Sequence, residues 1–133
     1  MSLKNKKFVG PSFPNGMEIV RVVYDFAQDG GAIADYDVLE ATDACIVRVK
    51  HIHALAEVTS ADATNIDLGK GDGGAEFLSN ALKASFGTNA VQTGVAGAAV
   101  RLAAGEKIVM GVEAFALTAG KIEFCFEVVK AAQ

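Results

Sequence analysis

From Met17 onward apolar and polar positions alternate. Val20, Val22, Tyr24 and Phe26 fall on one side, and Ile19, Arg21, Val23 and Asp25 on the other, which is the period of a β-strand. The run stops at "QDGG", Gln28–Gly31, where two glycines permit a turn. A mixed stretch, "IADYDVLEATDA", precedes a second strand pattern from Cys45 to about Val58. Its odd positions start apolar with Cys45, Val47 and Val49, so unbroken alternation predicts that His51, His53 and Glu57 share the core-facing side. The short strand "TNIDLG" and the glycine cluster "GKGDGG" follow. In "AEFLSNALKASF", Phe77, Leu78, Ala81, Leu82, Ser85 and Phe86 recur at helical spacing and predict one short helix. Finally "KIVMGVEAFAL" (Lys107–Leu117) and "KIEFCFEVVK" (Lys121–Lys130) read as a hairpin closed by "TAG".

Many short strands with turn signals about every ten residues, and one helix, predict a mainly β protein: an antiparallel β-sandwich, jelly-roll-like. The opening "MSLKNKKFVGPSFPNG" has both prolines and three lysines and no usable period. It reads as an extended N-terminal arm, residues 1–16, ahead of a sandwich domain at 17–133. No internal repeat is visible.

Composition sharpens this picture. The 133 residues are 51% apolar and 21% charged, enough for one compact core and unlike a disordered chain. Residues 1–17 carry three lysines and no acid, so the net charge of −4 leaves −7 on the remainder. An acidic body is a poor match for nucleic acid, which needs a basic face. The lysines lack an apolar segment behind them, so no secretory signal is expected. The uncharged run Ala84–Val100 is broken by Gly87, Thr88, Asn89, Gln92, Thr93 and Gly94, which argues against a membrane span. A soluble protein made in a cytoplasm is expected, with Cys45 and Cys125 as free buried thiols.

Five candidate chemistries can be weighed. His51, His53 and Glu57 could hold a metal inside a barrel, as in cupin enzymes, but the glycines of that pattern are replaced by Cys45 and Thr64, and no third histidine exists. Otherwise the histidines are partly buried strand residues satisfied by backbone or carboxylates. Gly69, Gly71 and Gly74 fit G-x-G-x-x-G, yet the neighbours are antiparallel and no acid follows at about twenty residues, so a tight turn is expected. Asp67 and Asp72 beside it could offer oxygens to a cation, without the loop of an EF-hand. None of Ser2, Ser12, Ser60, Ser79 or Ser85 lies in G-x-S-x-G. Without a catalytic signature, a protein that binds rather than reacts is expected, with no cofactor. A carbohydrate-binding or tail-associated jelly roll would need an aromatic platform, for which only Tyr24 and Tyr36 and no Trp are at hand.

Taken in order, "RVVYDFAQDGGA" (Arg21–Ala32), "IDLGKGDGGAEFL" (Ile66–Leu78) and "ALTAGKIEFCFEVV" (Ala116–Val129) resemble the small head-decoration, or cement, proteins of tailed bacteriophages. The resemblance covers most of the chain after the arm and rests on strands, glycine turns and a closing hairpin. It implies a virion protein on the outer surface of the capsid, made in the bacterial host. Its partner would be the major capsid protein, and its unit a homodimer or homotrimer. In that setting Lys4, Lys6, Lys7, Phe8 and Phe13 are the candidate capsid-binding residues, cationic and apolar groups suited to an acidic surface.

Overall fold

The fold is that of a computed structural model, which describes residues 1–10, 17–92 and 97–131. In chain order the elements are β1 (Ser2–Val9), β2 (Met17–Asp25), the single turn α1 (Phe26–Asp29), β3 (Asp35–Ala41), β4 (Cys45–Ser60), β5 (Asn65–Lys70) and β6 (Leu78–Leu82). A 3-10 turn at Lys83–Phe86 precedes β7 (Val91–Gln92), β8 (Ala99–Leu102), β9 (Lys107–Glu113) and β10 (Leu117–Lys130).

These strands make two sheets. Sheet I has the order β1-β3-β9-β5-β6, and sheet II the order β2-β10-β4-β7, with β8 also on β4. β7 and β8 both pair antiparallel with β4, at Ile52–His53 and at Cys45–Arg48, and so act as one interrupted strand. With β1 set aside and β7 and β8 merged, the orders become 2-7-4-5 and 1-8-3-6, the connectivity of an eight-stranded jelly roll. The mainly β sandwich is as the alternation predicted.

Between the sheets lie Val20, Val22 and Tyr24 of β2, Ile122, Phe124, Phe126 and Val128 of β10, and Ile108, Met110 and Val112 of β9. Phe124 stacks on Phe126 in the centre and Phe77 is tilted against Phe126, each pair with ring centroids 6.3 Å apart. Each such side chain contributes roughly 1.5–3 kcal/mol by leaving water. Tyr24 and Tyr36 meet edge to face at 6.1 Å and are wholly buried. Their hydroxyls donate to the carbonyls of Gly30 (2.6 Å) and Ala32 (2.8 Å), pinning the glycine turn after α1. Burial pushes both phenols above their ordinary pKa, Tyr36 and nearby aspartates adding to the effect at Tyr24. Neither ring can serve as a sugar platform.

Three expectations need correction. Residues 2–9 do not stand off the domain as an arm: β1 pairs parallel with β3 at the edge of sheet I, and Leu3 and Val9 are buried. These two join the core cluster, which the polar, lysine-rich pattern did not signal. Residues 75–86 form no α-helix. Leu78–Leu82 pairs antiparallel with β5, and Asn80, at φ 52°, donates its N–H to Asp67 Oδ1 at 2.6 Å. An isolated helix of that length is marginal, whereas the strand satisfies the free side of β5. The hairpin is also absent, since β9 and β10 lie in opposite sheets. The chain crosses between them at Ala114–Ala116, with Ala114 at φ 74°, and "TAG" lies inside β10.

Candidate interaction surface

β4 decides the fate of the histidine pair. Val49 pairs with Phe126, but His51 pairs with Cys125, so β4 advances two residues while β10 advances one. Lys50 is the extra residue of a β-bulge. Before it the odd residues Cys45 and Val47 face the core; beyond it the even residues Ile52 and Ala54 do. His51 and His53 are thereby turned to the outer face of sheet II, contrary to the unbroken alternation. The reason is energetic: straight pairing would bury two imidazoles and expose Ile52, and burying unpartnered polar groups is costly. His51 Nε2 lies 3.3 Å from Glu123 Oε1, the carboxylate partner expected of a structural histidine. Glu57 lies exposed further along β4. Among the described residues no group of three or more His, Cys, Asp or Glu could hold a metal ion.

Cys45 lies in the core. Cys125 points to the outer face of sheet II between Arg21 of β2 and His51 of β4, yet is almost wholly covered. Both thiols are free, and burial raises the pKa of Cys45.

The glycine cluster is a turn, as expected, though it leads into a strand. Gly71, at φ 71°, and Gly73, at φ 79°, occupy the left-handed region. A Cβ at Gly69 would strike Glu76 and the backbone of Gly74 and Ala75, because the loop folds back over β5. Two of the loop's amides are committed internally, Gly71 N–H to Lys107 O and Gly74 N–H to Gly71 O, both at 3.0 Å. Asp67 is buried on the outer face of sheet I beside Glu113, whose carboxyl it raises in pKa through hydrogen bonding and repulsion. Asp72 lies apart from it, in the lining of an open cleft of about 810 Å³ with Asp35, Asp37, Lys70, Glu106 and Lys107. Lys70 is held by Glu106 and Lys107 by Asp37, each at 3.1 Å.

The basic N-terminal residues are ordered by β1. Between Ser2 and Lys7 the register with β3 slips, so Leu3–Lys6 bows away from sheet I. Lys4 N–H donates to Asp29 Oδ1 at 2.7 Å, and Asn5 Nδ2 to Val23 O at 3.3 Å, tying the bow to α1 and β2. Lys6 is held by Glu40 Oε1 at 2.7 Å and sits over the Phe8 ring at 4.7 Å. Lys4 and Lys7 are exposed, and Phe8 is 63% exposed. Phe13 lies outside the described residues. Met17 and Ile19 of β2, which the sequence reading left out, are 53% and 45% exposed and extend the apolar surface. The alternation that puts Ile19 opposite Val20 was the available signal.

No protein-family model, curated protein or solved structure matches this chain. Among the described residues no helix is long and apolar enough to cross a membrane.

Proposed function

We propose that the protein is a virion structural protein, a decoration protein that binds the outer surface of a tailed-phage head through the major capsid protein. The observation that carries this reading is the surface of β1: Lys4, Lys7 and Phe8 stand exposed on a strand fixed by Leu3, Val9 and the Asp29 contact. Among the described residues neither Lys4 nor Lys7 has an ion-pair partner. A preordered strand loses less conformational entropy on docking than a free arm would. The resemblance of Arg21–Ala32, Ile66–Leu78 and Ala116–Val129 to cement proteins supplies the biological setting, the first two as glycine turns and the third as a strand without its hairpin. In that setting the protein bridges subunits of a strained shell, and its many weak contacts across the lattice add up, more so in a homodimer or homotrimer. No chemical step is assigned to it.

The test is co-sedimentation with preformed capsid shells lacking their decoration. The wild-type protein should pellet with shells, and a Lys4→Glu, Lys7→Glu, Phe8→Ser variant of unchanged circular dichroism should remain in the supernatant. Failure of the wild-type protein to pellet, or equal pelleting of the variant, refutes the assignment.

A further inference from the structure

Among the described residues the N-terminal half of β2 is an open sheet edge. β2 is the outermost strand of sheet II, paired on one side with β10 over Met17–Asp25 without a register break. Two contacts fix which of its residues point away from β10. Val23 O accepts from Asn5 Nδ2 at 3.3 Å, and Asp25 N–H donates to Asp29 Oδ2 at 2.9 Å. In an antiparallel ladder the outward residues alternate, so Met17, Ile19 and Arg21 direct their N–H and C=O groups the same way. Beyond Val23 that edge has no ladder partner among the described residues.

β1 does not close the gap. It reaches β2 only where Leu3–Lys6 bows out, and from Lys7 to Val9 it rejoins β3. Lys4 N–H and Asp25 N–H share the Asp29 carboxylate while Asn5 meets Val23, so the two strands run antiparallel. Extended past Asn5, that direction carries β1 alongside the Arg21–Met17 half of β2 while Lys7–Val9 pair with β3. The opening is therefore flanked by exposed Phe8, Met17 and Ile19 and by the exposed cations Lys7 and Arg21. Neither cation has an ion-pair partner among the described residues.

From this juxtaposition we infer that the Met17–Arg21 edge of β2 accepts an extended strand from a partner protein, one whose outer-face side chains are apolar opposite Met17 and Ile19 and acidic opposite Arg21. Its backbone would complete the ladder, and every second side chain would lie on the outer face, the apolar ones covering Met17 and Ile19 and an acidic one meeting Arg21. At these positions the edge carries no proline or bulge, and its charged residues are Glu18 and Arg21. The inference rests on the decoration reading for the partner's identity, as a segment of the shell subunit, but the edge itself can be probed without shells.

The full chain, labelled for amide NMR, is titrated with a capped peptide, Thr-Glu-Thr-Val-Thr-Val-Thr-Glu-Thr, which presents valine and glutamate on one face in either strand direction, and separately with its counterpart carrying lysine for glutamate. The acidic peptide should shift the amide signals of Ile19 and Arg21 and slow their hydrogen exchange at least about tenfold. The basic peptide should leave both unchanged. The Lys7→Glu, Arg21→Glu variant should reverse the preference, and Ile19→Pro, which removes the outward N–H, should abolish binding. The pair of charge variants keeps the test decisive if the proline variant does not fold. No response at Ile19 and Arg21 at millimolar peptide, a response confined to another edge, or equal response to both peptides overturns the inference. Shell binding that survives Ile19→Pro overturns it while sparing the decoration reading; peptide binding without shell binding does the reverse.

Discussion

His51 and Glu123 face each other on the outer surface of the sandwich, Nε2 to Oε1 at 3.3 Å, although strict alternation along β4 would have placed the imidazole in the core. One inserted residue, Lys50, separates the two outcomes. The pair stands beside the covered Cys125 rather than beside Glu57, so it braces two strands instead of assembling a metal site.

Replacing both His51 and His53 with Gln should leave the fold intact and change stability by no more than about 0.5 kcal/mol, as at other surface positions. Urea unfolding checks this. Zinc or iron should stabilise wild type and variant equally; selective stabilisation of the wild type would restore a metal role to these residues.

The N-terminal strand should behave as part of the core. Leu3→Ala should cost about 2–4 kcal/mol, because Leu3 is buried and its removal leaves a cavity. Deleting residues 1–10 should cost more and expose the sandwich to proteolysis. A deletion variant that melts like the full chain would show β1 to be an appendage.

Alkaline pH should destabilise the protein through Tyr24 and Tyr36. Burial raises both phenols above their ordinary value near 10. Their contribution is therefore complete below that pH and is lost as pH rises above it. Tyrosinate absorbance should appear together with the loss of near-ultraviolet dichroism, not before it. Tyr24→Phe should cost about 1–2 kcal/mol at neutral pH, the worth of the 2.6 Å bond to Gly30 O.

Glu113 should act in the opposite range. The adjacent Asp67 holds its carboxyl above the ordinary value, so its contribution is present at acid pH and disappears as pH rises through the folded-state pKa. Glu113→Gln should raise the neutral-pH urea midpoint and remove that part of the pH dependence. An unchanged midpoint would mean that Asp67 and Glu113 do not interact in solution.

The partition between sequence and tertiary structure follows element by element. The β2 pattern, the Gln28–Gly31 turn, β5, the glycine turn and the inward face of β10 were legible because each depends on local periodicity or on residues that tolerate unusual backbone angles. The short, interrupted β7 and β8 gave no such period, and β3 was blurred by the slip between Asp37 and Leu39. The surface cations Lys4 and Lys7 and exposed Phe8 were named from composition, whereas Lys6 proved to be engaged by Glu40. Met17 and Ile19 could be set on the outer side of a strand, but nothing in the sequence marked β2 as an edge.

By itself, then, the sequence determined that this is a mainly β sandwich with one apolar core, since alternation and glycine turns are local properties of the chain. Tertiary structure alone decided which face His51 presents, that Leu78–Leu82 is a strand, that β9 and β10 part between sheets, and that β1 belongs to the fold. Each of those outcomes depends on a partner strand distant in sequence. A single bulged residue reverses the face of everything beyond it, and the choice between paired and unpaired backbone is made only when that partner arrives.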